Sequence, residues 1–414
     1  MNIIYSVFVT LVWFFSTYFA VTLLIVLLTC RDKIYKNPSL KENDTRVKVS
    51  LLVPVFNEGK NVIHTIDSLK KVDYPKDKLE IIILNDGSSD NTSDVVNANI
   101  DRENMIFVDN KENKGKAATL NQGIDLATGE LVATMDGDTE VPSDVVEKTV
   151  PFFKDEKVGA CTVSVEVKNP ETFLQKIIEI EYTIGLSLAL KALSFFNAVH
   201  VTPGPFSMYR LSVLKRIGCF DVNNITEDHE IAIRIHKAGF KIENCTDTKV
   251  QTISPGTFKT LYRQRKRWYT GSLLTLWQHK DIIMNKKLGT LGFIYPYSYL
   301  LITGGLLLFI LSVYLGVSNF VRRVSMYSLT NYNFFSHFSL SRIDLLELST
   351  LSILGGAGII TTFIAATICL KIASKRLKTR VPGFIGYIFL FFLYQIFWGS
   401  SFVSAITRRK VKWR

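Results

Sequence analysis

The chain has 414 residues, of which 47% are hydrophobic and 21% charged, and its formal net charge is +12. That length exceeds one small domain and leaves room for two or three units. The basic excess is bunched: Lys371, Lys375, Arg376, Lys378 and Arg380 fill one short stretch and Arg408, Arg409, Lys410, Lys412 and Arg414 end the chain, beside apolar runs, which argues against nucleic acid as a partner. Five scattered cysteines with no C-x-x-C pair exclude a disulfide framework or a structural zinc site and read as buried free thiols.

Residues 3–30 carry no charge and are long enough to cross a bilayer as a helix. No basic residue precedes the run, and it is too long for a signal-peptide core, so a retained anchor over 1–30 is expected. Arg31, Lys33 and Lys36 follow it, which by the positive-inside rule places 31–288 in the cytoplasm.

That segment has soluble composition and alternates strand and helix signals. KVSLLVPV (48–55), LEIIIL (79–84), 105–108 and 130–135 read as strands; 57–71 and 116–127 read as helices. The alternation predicts an α/β fold, a doubly wound and mostly parallel sheet. In such sheets ligands bind beyond the carboxyl ends of the strands. Three polar clusters fall there: Asn57-Glu58, Asn85-Asp86, and Asp136-Gly-Asp138. Each alone is ordinary turn chemistry; together at one sheet edge they point to a site. Two carboxylates one residue apart can hold Mg²⁺ or Mn²⁺ against a diphosphate, since these ions take one or two carboxylates plus phosphate oxygens. Asn113-Lys114-Gly115-Lys116 opens a helix whose free N–H groups, with Lys116, suit a phosphate; a solvated basic helix start is the plain alternative.

Further on, 171–196 is amphipathic and aromatic but too polar for a span, and an interfacial helix is expected. Val201–Phe206 is a rigid Pro/Gly loop. Thr226-Glu227-Asp228 precedes EIAIRIHKAG and reads both as a helix start with acidic first-turn residues and as a candidate base. Gln264-Arg265-Lys266-Arg267-Trp268 lies in a second expected interfacial helix over 258–285, with Leu261, Trp268 and Leu276 inward. Arg265 and Arg267 have forks suited to phosphate, and Trp268 a flat face suited to a sugar. Apolar stretches near 291–318, 348–370 and 383–406 complete a C-terminal membrane part, 289–414, with three spans. Four spans put the basic tail outside, against the charge rule; the tail is then an exception or one stretch is re-entrant.

The ordered set LLVPVFNE, ILNDGSSDNT, NKGKAATLNQG, TMDGDT, TED and QRKRW resembles the processive family 2 glycosyltransferases, among them the membrane synthases of hyaluronan, chitin, cellulose and poly-N-acetylglucosamine. The resemblance covers about 48–270, and the pattern of spans is most similar to the chito-oligosaccharide and poly-N-acetylglucosamine branch. It implies a GT-A-like fold and inverting transfer from a UDP-sugar, UDP-N-acetylglucosamine foremost, to a growing glycan. Mg²⁺ or Mn²⁺ is the implied cofactor, and an accessory membrane or export subunit a candidate partner. It implies that Asp86 contacts the uridine, Asp136 binds substrate, Asp138 binds the metal and Asp228 is the general base. It also implies that Gln264, Arg267 and Trp268 hold the diphosphate and frame the acceptor. Glu58, Lys116, Glu227 and Arg265 join them as substrate-binding candidates. Asn85 departs from the aspartate many members carry. The alternative is transfer of one sugar to polyprenyl phosphate or another lipid, against which the Q-x-x-R-W pentad argues.

Overall fold

The uncharged N-terminal run folds as one helix, α1 (Ile3–Thr29), followed by a single turn, α2 (Arg31–Ile34). The structure, a computed structural model, describes residues 3–34, 36–40, 46–329, 350–373 and 381–407. The chain divides into two compact units, Met1–Leu24 with Tyr297–Ile368, and Ile25–Pro296 with Cys369–Arg414.

The second unit is built on one eight-stranded sheet. β1 (Val49–Val55), α3 (Val62–Lys70), β2 (Leu79–Asp86), α4 (Thr92–Asn99), β3 (Met105–Asn110), α5 (Lys116–Leu126) and β4 (Leu131–Thr134) alternate as expected, and the four strands lie parallel in the order β3-β2-β1-β4. β1 is buried along its whole length, as a continuous apolar run must be in a parallel sheet covered on both faces. α5 seats on the sheet at Gly123, where a Cβ would stand 3.1 Å from Leu52 and 3.2 Å from Leu84. Val55 pairs with Asn85 and Leu52 with Thr134. The register therefore brings Glu58, Asp86 and Asp136 off the same edge of the sheet.

Beyond β4 the sheet becomes mixed. β5 (Thr139–Glu140), α6 (Val145–Thr149), β6 (Val158–Val167), α7 (Phe173–Tyr182), α8 (Leu190–Ser194), β7 (Ser207–Arg210), α9 (Leu211–Ile217), α10 (Glu227–Lys237), β8 (Lys241–Thr252) and α11 (Phe258–Gln278) complete it. β7 enters antiparallel between β4 and β6, β6 and β8 are parallel, and β5 closes antiparallel on β8. α10 carries Glu227, Asp228 and Glu230 in its first turn and Arg234, His236 and Lys237 in its last, the arrangement its backbone dipole favours. α11 opens with a capping box between Thr257 and Thr260. It then approaches the start of α10 at Gly271, whose Cβ would fall 2.3 Å from Thr226 Oγ1.

The segment 171–196 is more enclosed than its amphipathic pattern suggested. α7 is capped by Thr172 and Gln175, runs into a π-helical stretch, Thr183–Ala189, and then into α8. One side packs on β6. The other meets α14 (Val381–Ile406), the last of three long apolar helices after α12 (Leu291–Leu329) and α13 (Thr350–Ile372). Phe173 and Phe195 are the large apolar side chains of the segment left exposed. Amphipathicity fixes that one face is covered, not by what.

Among the described residues, Tyr5–Thr29 and Leu291–Leu329 are long and apolar enough to cross a membrane. In the first unit the Tyr297 hydroxyl donates to the Phe15 carbonyl at 2.9 Å, and Gly304 lets α12 approach Val12, 3.1 Å from where a Cβ would stand. In the second unit α14 buries Leu390, Tyr394, Phe397, Ser401 and Ser404 along one stripe and exposes Phe389, Phe392, Ile396, Val403 and Ile406 on the other. It fits close to α7 at Gly386, whose Cβ would meet Ile177 Cδ1 at 2.4 Å. Lys375, Arg376, Lys378 and Arg380, and the tail 408–414, lie outside the described residues.

Candidate active site

Lys116, the first residue of α5, is the hub of the site. Its Nζ lies 2.5 Å from Asp136 Oδ1 and 3.0 Å from Glu227 Oε1, joining the end of β4 to the start of α10. Burial opposes the ammonium, but Asp136, Glu227 and Asp228 together outweigh it and hold Lys116 protonated well above the usual lysine range. Lys116 was expected to meet phosphate; the structure pairs it with two carboxylates. The physical reason is that three acids converging on one edge need a cation among them.

Asp228 is next to this bridge and half-buried. Burial, then the adjoining Glu227 carboxylate, push it from 3.8 up to about 7, against the pull of Lys116 and Arg267. Its Oδ1 accepts from the His229 N–H at 2.9 Å, which fixes the carboxylate at the helix start. Thr226 occupies the cap position but donates its hydroxyl to Asn224 Oδ1 at 3.1 Å instead of capping α10. The Asp228 carbonyl accepts from Thr202 N at 3.0 Å and Thr202 Oγ1 at 2.7 Å. The Pro/Gly loop is thereby tied to α10. Within that loop a Cβ on Gly204 would stand 2.7 Å from Asp136 Oδ2 and 2.8 Å from Lys116 Nζ, so only glycine lets the backbone lie on the bridge.

Asp86 is buried, and both carboxylate oxygens accept backbone N–H groups, Lys114 at 2.8 Å and Gly115 at 3.0 Å. The helix-start amides expected to be free for phosphate at those two positions are therefore occupied. Asn85 donates to Asp109 Oδ1 at 2.7 Å and accepts from Ser88 Oγ at 2.5 Å, shaping the same turn. Glu58, at the end of β1, is half-buried and its backbone N–H donates to Thr92 Oγ1 at 3.0 Å. A Cβ on Gly137 would lie 3.4 Å from Glu58 Cγ, which sets Glu58 beside the Asp136–Asp138 turn. Asp138 is half-buried, with Oδ1 3.4 Å from Thr252 Oγ1 at the end of β8.

The two arginines of the pentad separate. On a helix, residues two apart point about 200° apart, so one of them faces away from the site. Arg267 is half-buried, donates to the Ile225 carbonyl at 3.3 Å and lies close enough to Asp228 to favour its ionised form. Arg265 is fully buried; its fork donates to Glu181 Oε2 at 2.8 Å and to Gln264 Oε1 at 2.7 Å. Arg265 was expected to grip phosphate; in the structure its guanidinium has no exposed surface and its partner is a carboxylate. Trp268 is partly buried, with the Arg265 guanidinium 4.2 Å from its ring centroid and Tyr182 stacked at 6.5 Å.

Thr202, Gly204, Glu181 and Tyr394 were not singled out by sequence. Only the Pro-Gly-Pro rigidity hinted at the first two; Glu181 lies among other polar residues of an amphipathic helix and Tyr394 among the aromatics of an apolar one, so neither stands out in the sequence. On the opposite face of α10 a cavity of about 430 Å³ is lined by Asn121, Phe220, Asp221, Glu230, Arg234 and His279. Its polar groups bond one another, Glu230 accepting from Arg234 and from His279 Nε2 at 2.9 Å, and Asn121 pairing with the Phe220 backbone.

Residues 50–218 match the model of glycosyl transferase family 2. A poly-β-1,6-N-acetyl-D-glucosamine synthase of Staphylococcus aureus is 32% identical over 269 residues, which are 64% of this chain and 63% of that one; the match thus spans less than two thirds of that relative's length. The synthase of the same name from Staphylococcus epidermidis is 28% identical over 378 residues, 87% of this chain and 84% of that one. Among solved structures, the mannosyltransferase PcManGT from Pyrobaculum calidifontis, in complex with GDP-Man and Mn²⁺, superposes with a TM-score of 0.58 at 17% identity, covering 92% of this chain and 99% of that one. That likeness is one of fold, a GT-A-like mixed sheet with helices.

Proposed function

From the premise that this chain carries a family 2 glycosyltransferase domain, we propose that it is a membrane-embedded inverting glycosyltransferase. It takes a UDP-sugar, UDP-N-acetylglucosamine foremost, and adds it to a growing β-linked glycan. The names of the Staphylococcus relatives support the donor and the product class. The observation that carries the chemistry is Asp228: a carboxylate raised to about 7, fixed at a helix start beside a lysine-bridged acid pair, at the edge where strand ends converge.

In the reaction the acceptor hydroxyl oxygen attacks the anomeric carbon, its proton passes to Asp228, and the diphosphate leaves from the opposite face with the bonding electron pair. Lys116 holds Asp136 and Glu227 in register and so fixes the position of Asp228 behind them. Arg267, on the same side, offers a fork to the leaving diphosphate, and Asp86 and Glu58 border the nucleotide side. Asp138, whose Oδ1 accepts from Thr252 Oγ1 at 3.4 Å, is the carboxylate that would hold a divalent cation, with the donor's phosphates supplying the remaining oxygen ligands. Bound there, Mg²⁺ or Mn²⁺ would supply neutralisation of charge on the diphosphate. Gln264 and Trp268 frame the acceptor. α1, α12, α13 and α14 are taken as four spans with residues 31–288 cytoplasmic; the exposed apolar stripe of α14 supports a lipid-facing side.

The test is incubation of the purified protein, in detergent or proteoliposomes, with Mg²⁺ or Mn²⁺ and each labelled UDP-sugar in turn, followed by sizing of the product. A ladder from UDP-N-acetylglucosamine is the expected result. A single sugar on a lipid would replace polymerisation with one-step transfer, and no incorporation from any UDP-sugar would remove the proposal.

A further inference from the structure

Arg265 sits at the junction of three helices. On α11 its guanidinium lies over Trp268, 4.2 Å from the ring centroid. On α7 the Glu181 carboxylate accepts from Arg265 Nη2 at 2.8 Å, and the same oxygen accepts from the Tyr394 hydroxyl of α14 at 2.6 Å. Tyr182, the neighbour of Glu181, stacks on Trp268 with an interplanar angle of 29°. The Arg265 guanidinium is also 5.8 Å from the Tyr182 ring centroid, so the cation set by Glu181 and the ring from the same turn of α7 lie together on one side of Trp268. Arg265 Nε is buried without a hydrogen-bond partner, so the guanidinium depends on Glu181, Gln264 and the indole face for its placement. A displaced Glu181 carries the cation with it.

Among the described residues, other contacts between α11 and α14 are a hydrogen bond from Ser401 Oγ to the Lys266 carbonyl at 3.5 Å and aromatic pairs. Tyr269 lies flat on Trp398 with centroids 4.1 Å apart and Tyr262 meets Phe397 edge-on at 5.1 Å. These hold the two helices together whether or not Tyr394 has its hydroxyl. The polar triad therefore has little adhesive duty left to it, and what it fixes is direction. Stacking of a sugar on an indole depends on where the ring plane lies, and the charge-assisted hydrogen bond from Arg265 to Glu181 is a strong means of setting it.

We propose that Glu181 and Tyr394 are positioning residues that act through Arg265 to fix the plane of Trp268, so that acceptor binding is coupled to α14. This rests on the reading of Trp268 as the acceptor platform. Tyr394→Phe deletes one hydroxyl and keeps the ring against Tyr269 and Phe397. In that variant the KM for an added oligosaccharide acceptor is expected to rise about tenfold, the loss of one hydrogen bond to a charged group, while the donor KM stays within about twofold. Glu181→Gln moves the acceptor KM the same way and further. Tyr262→Leu, which loosens the same helix interface without touching the triad, leaves the acceptor KM in place. Donor and acceptor KM rising together, or Tyr394→Phe behaving like Tyr262→Leu, would reduce the triad to packing and overturn the inference. If wild-type protein binds donor but never elongates an oligosaccharide, the reading of Trp268 falls and the inference with it. If wild type elongates and Tyr394→Phe does so with an unchanged acceptor KM, the inference alone falls.

Discussion

Replacing Asp228 with asparagine preserves shape and removes proton affinity. The carboxylate stands at about 7 because burial and Glu227 outweigh Lys116 and Arg267. The ionised form is the one that accepts a proton, so activity rises with pH. About half of the molecules are competent at pH 7, about one in ten at pH 6 and about nine in ten at pH 8, for a group with that pKa. The log of kcat/KM should therefore climb with unit slope below about pH 7 and flatten near pH 8, since this ratio reports the free enzyme. In Asp228→Asn the amide cannot take the proton, and turnover should drop by about 10²–10⁴-fold, the usual contribution of a positioned base. Donor affinity should change little, because the leaving diphosphate does not need that proton. The assay is incorporation of labelled sugar across the pH range, with direct titration of UDP-sugar binding in parallel. A variant that retains more than about a tenth of wild-type turnover contradicts the general-base assignment, and a wild-type profile that is flat through pH 6–8 contradicts the raised pKa.

Glu227→Gln removes the second cause of the raised Asp228 pKa, so the acid limb of the same profile should move to lower pH; an unmoved limb would separate the two carboxylates electrostatically. Gly271→Ala would place a Cβ 2.3 Å from Thr226 Oγ1 and 2.9 Å from its Cβ. Overpacking of that kind costs about 1–3 kcal/mol, and thermal melting should show it together with reduced turnover, since Thr226 leads directly into Glu227-Asp228. Arg265→Met leaves Glu181 without its buried cation and should destabilise by about 3 kcal/mol, whereas Arg267→Met should leave the melting midpoint near wild type and abolish transfer; equal effects in both assays would dissolve the distinction between the two arginines. Chelation by EDTA should stop incorporation and added Mn²⁺ or Mg²⁺ restore it, with Asp138→Asn requiring more metal for half-maximal rate.

The sequence by itself determined the parallel half of the sheet. Continuous apolar runs such as LLVPV and IIIL cannot be satisfied except as central strands covered on both faces, and with helices between them the strands must run parallel. That in turn dictated that Glu58, Asp86 and Asp136 emerge on one edge. Period and turn chemistry are local properties, so they survive in a one-dimensional record. Pairing beyond β4 is not local, and only the tertiary structure decided it. The antiparallel entry of β7, four residues long, left no period to read. Lys116 bridges Asp136 and Glu227 because α10 arrives from more than a hundred residues away. Arg265 and Arg267 look interchangeable in QRKRW, yet helix geometry sends one to the core and one toward Asp228, and which is which depends on α7 and α14 covering that face. Thr202 and Gly204 gained meaning only once the loop was laid on the carboxylates. Residue types announced that charge would be handled at this edge; the fold decided which charges neutralise one another and which is left half-buried, near neutrality, to take a proton.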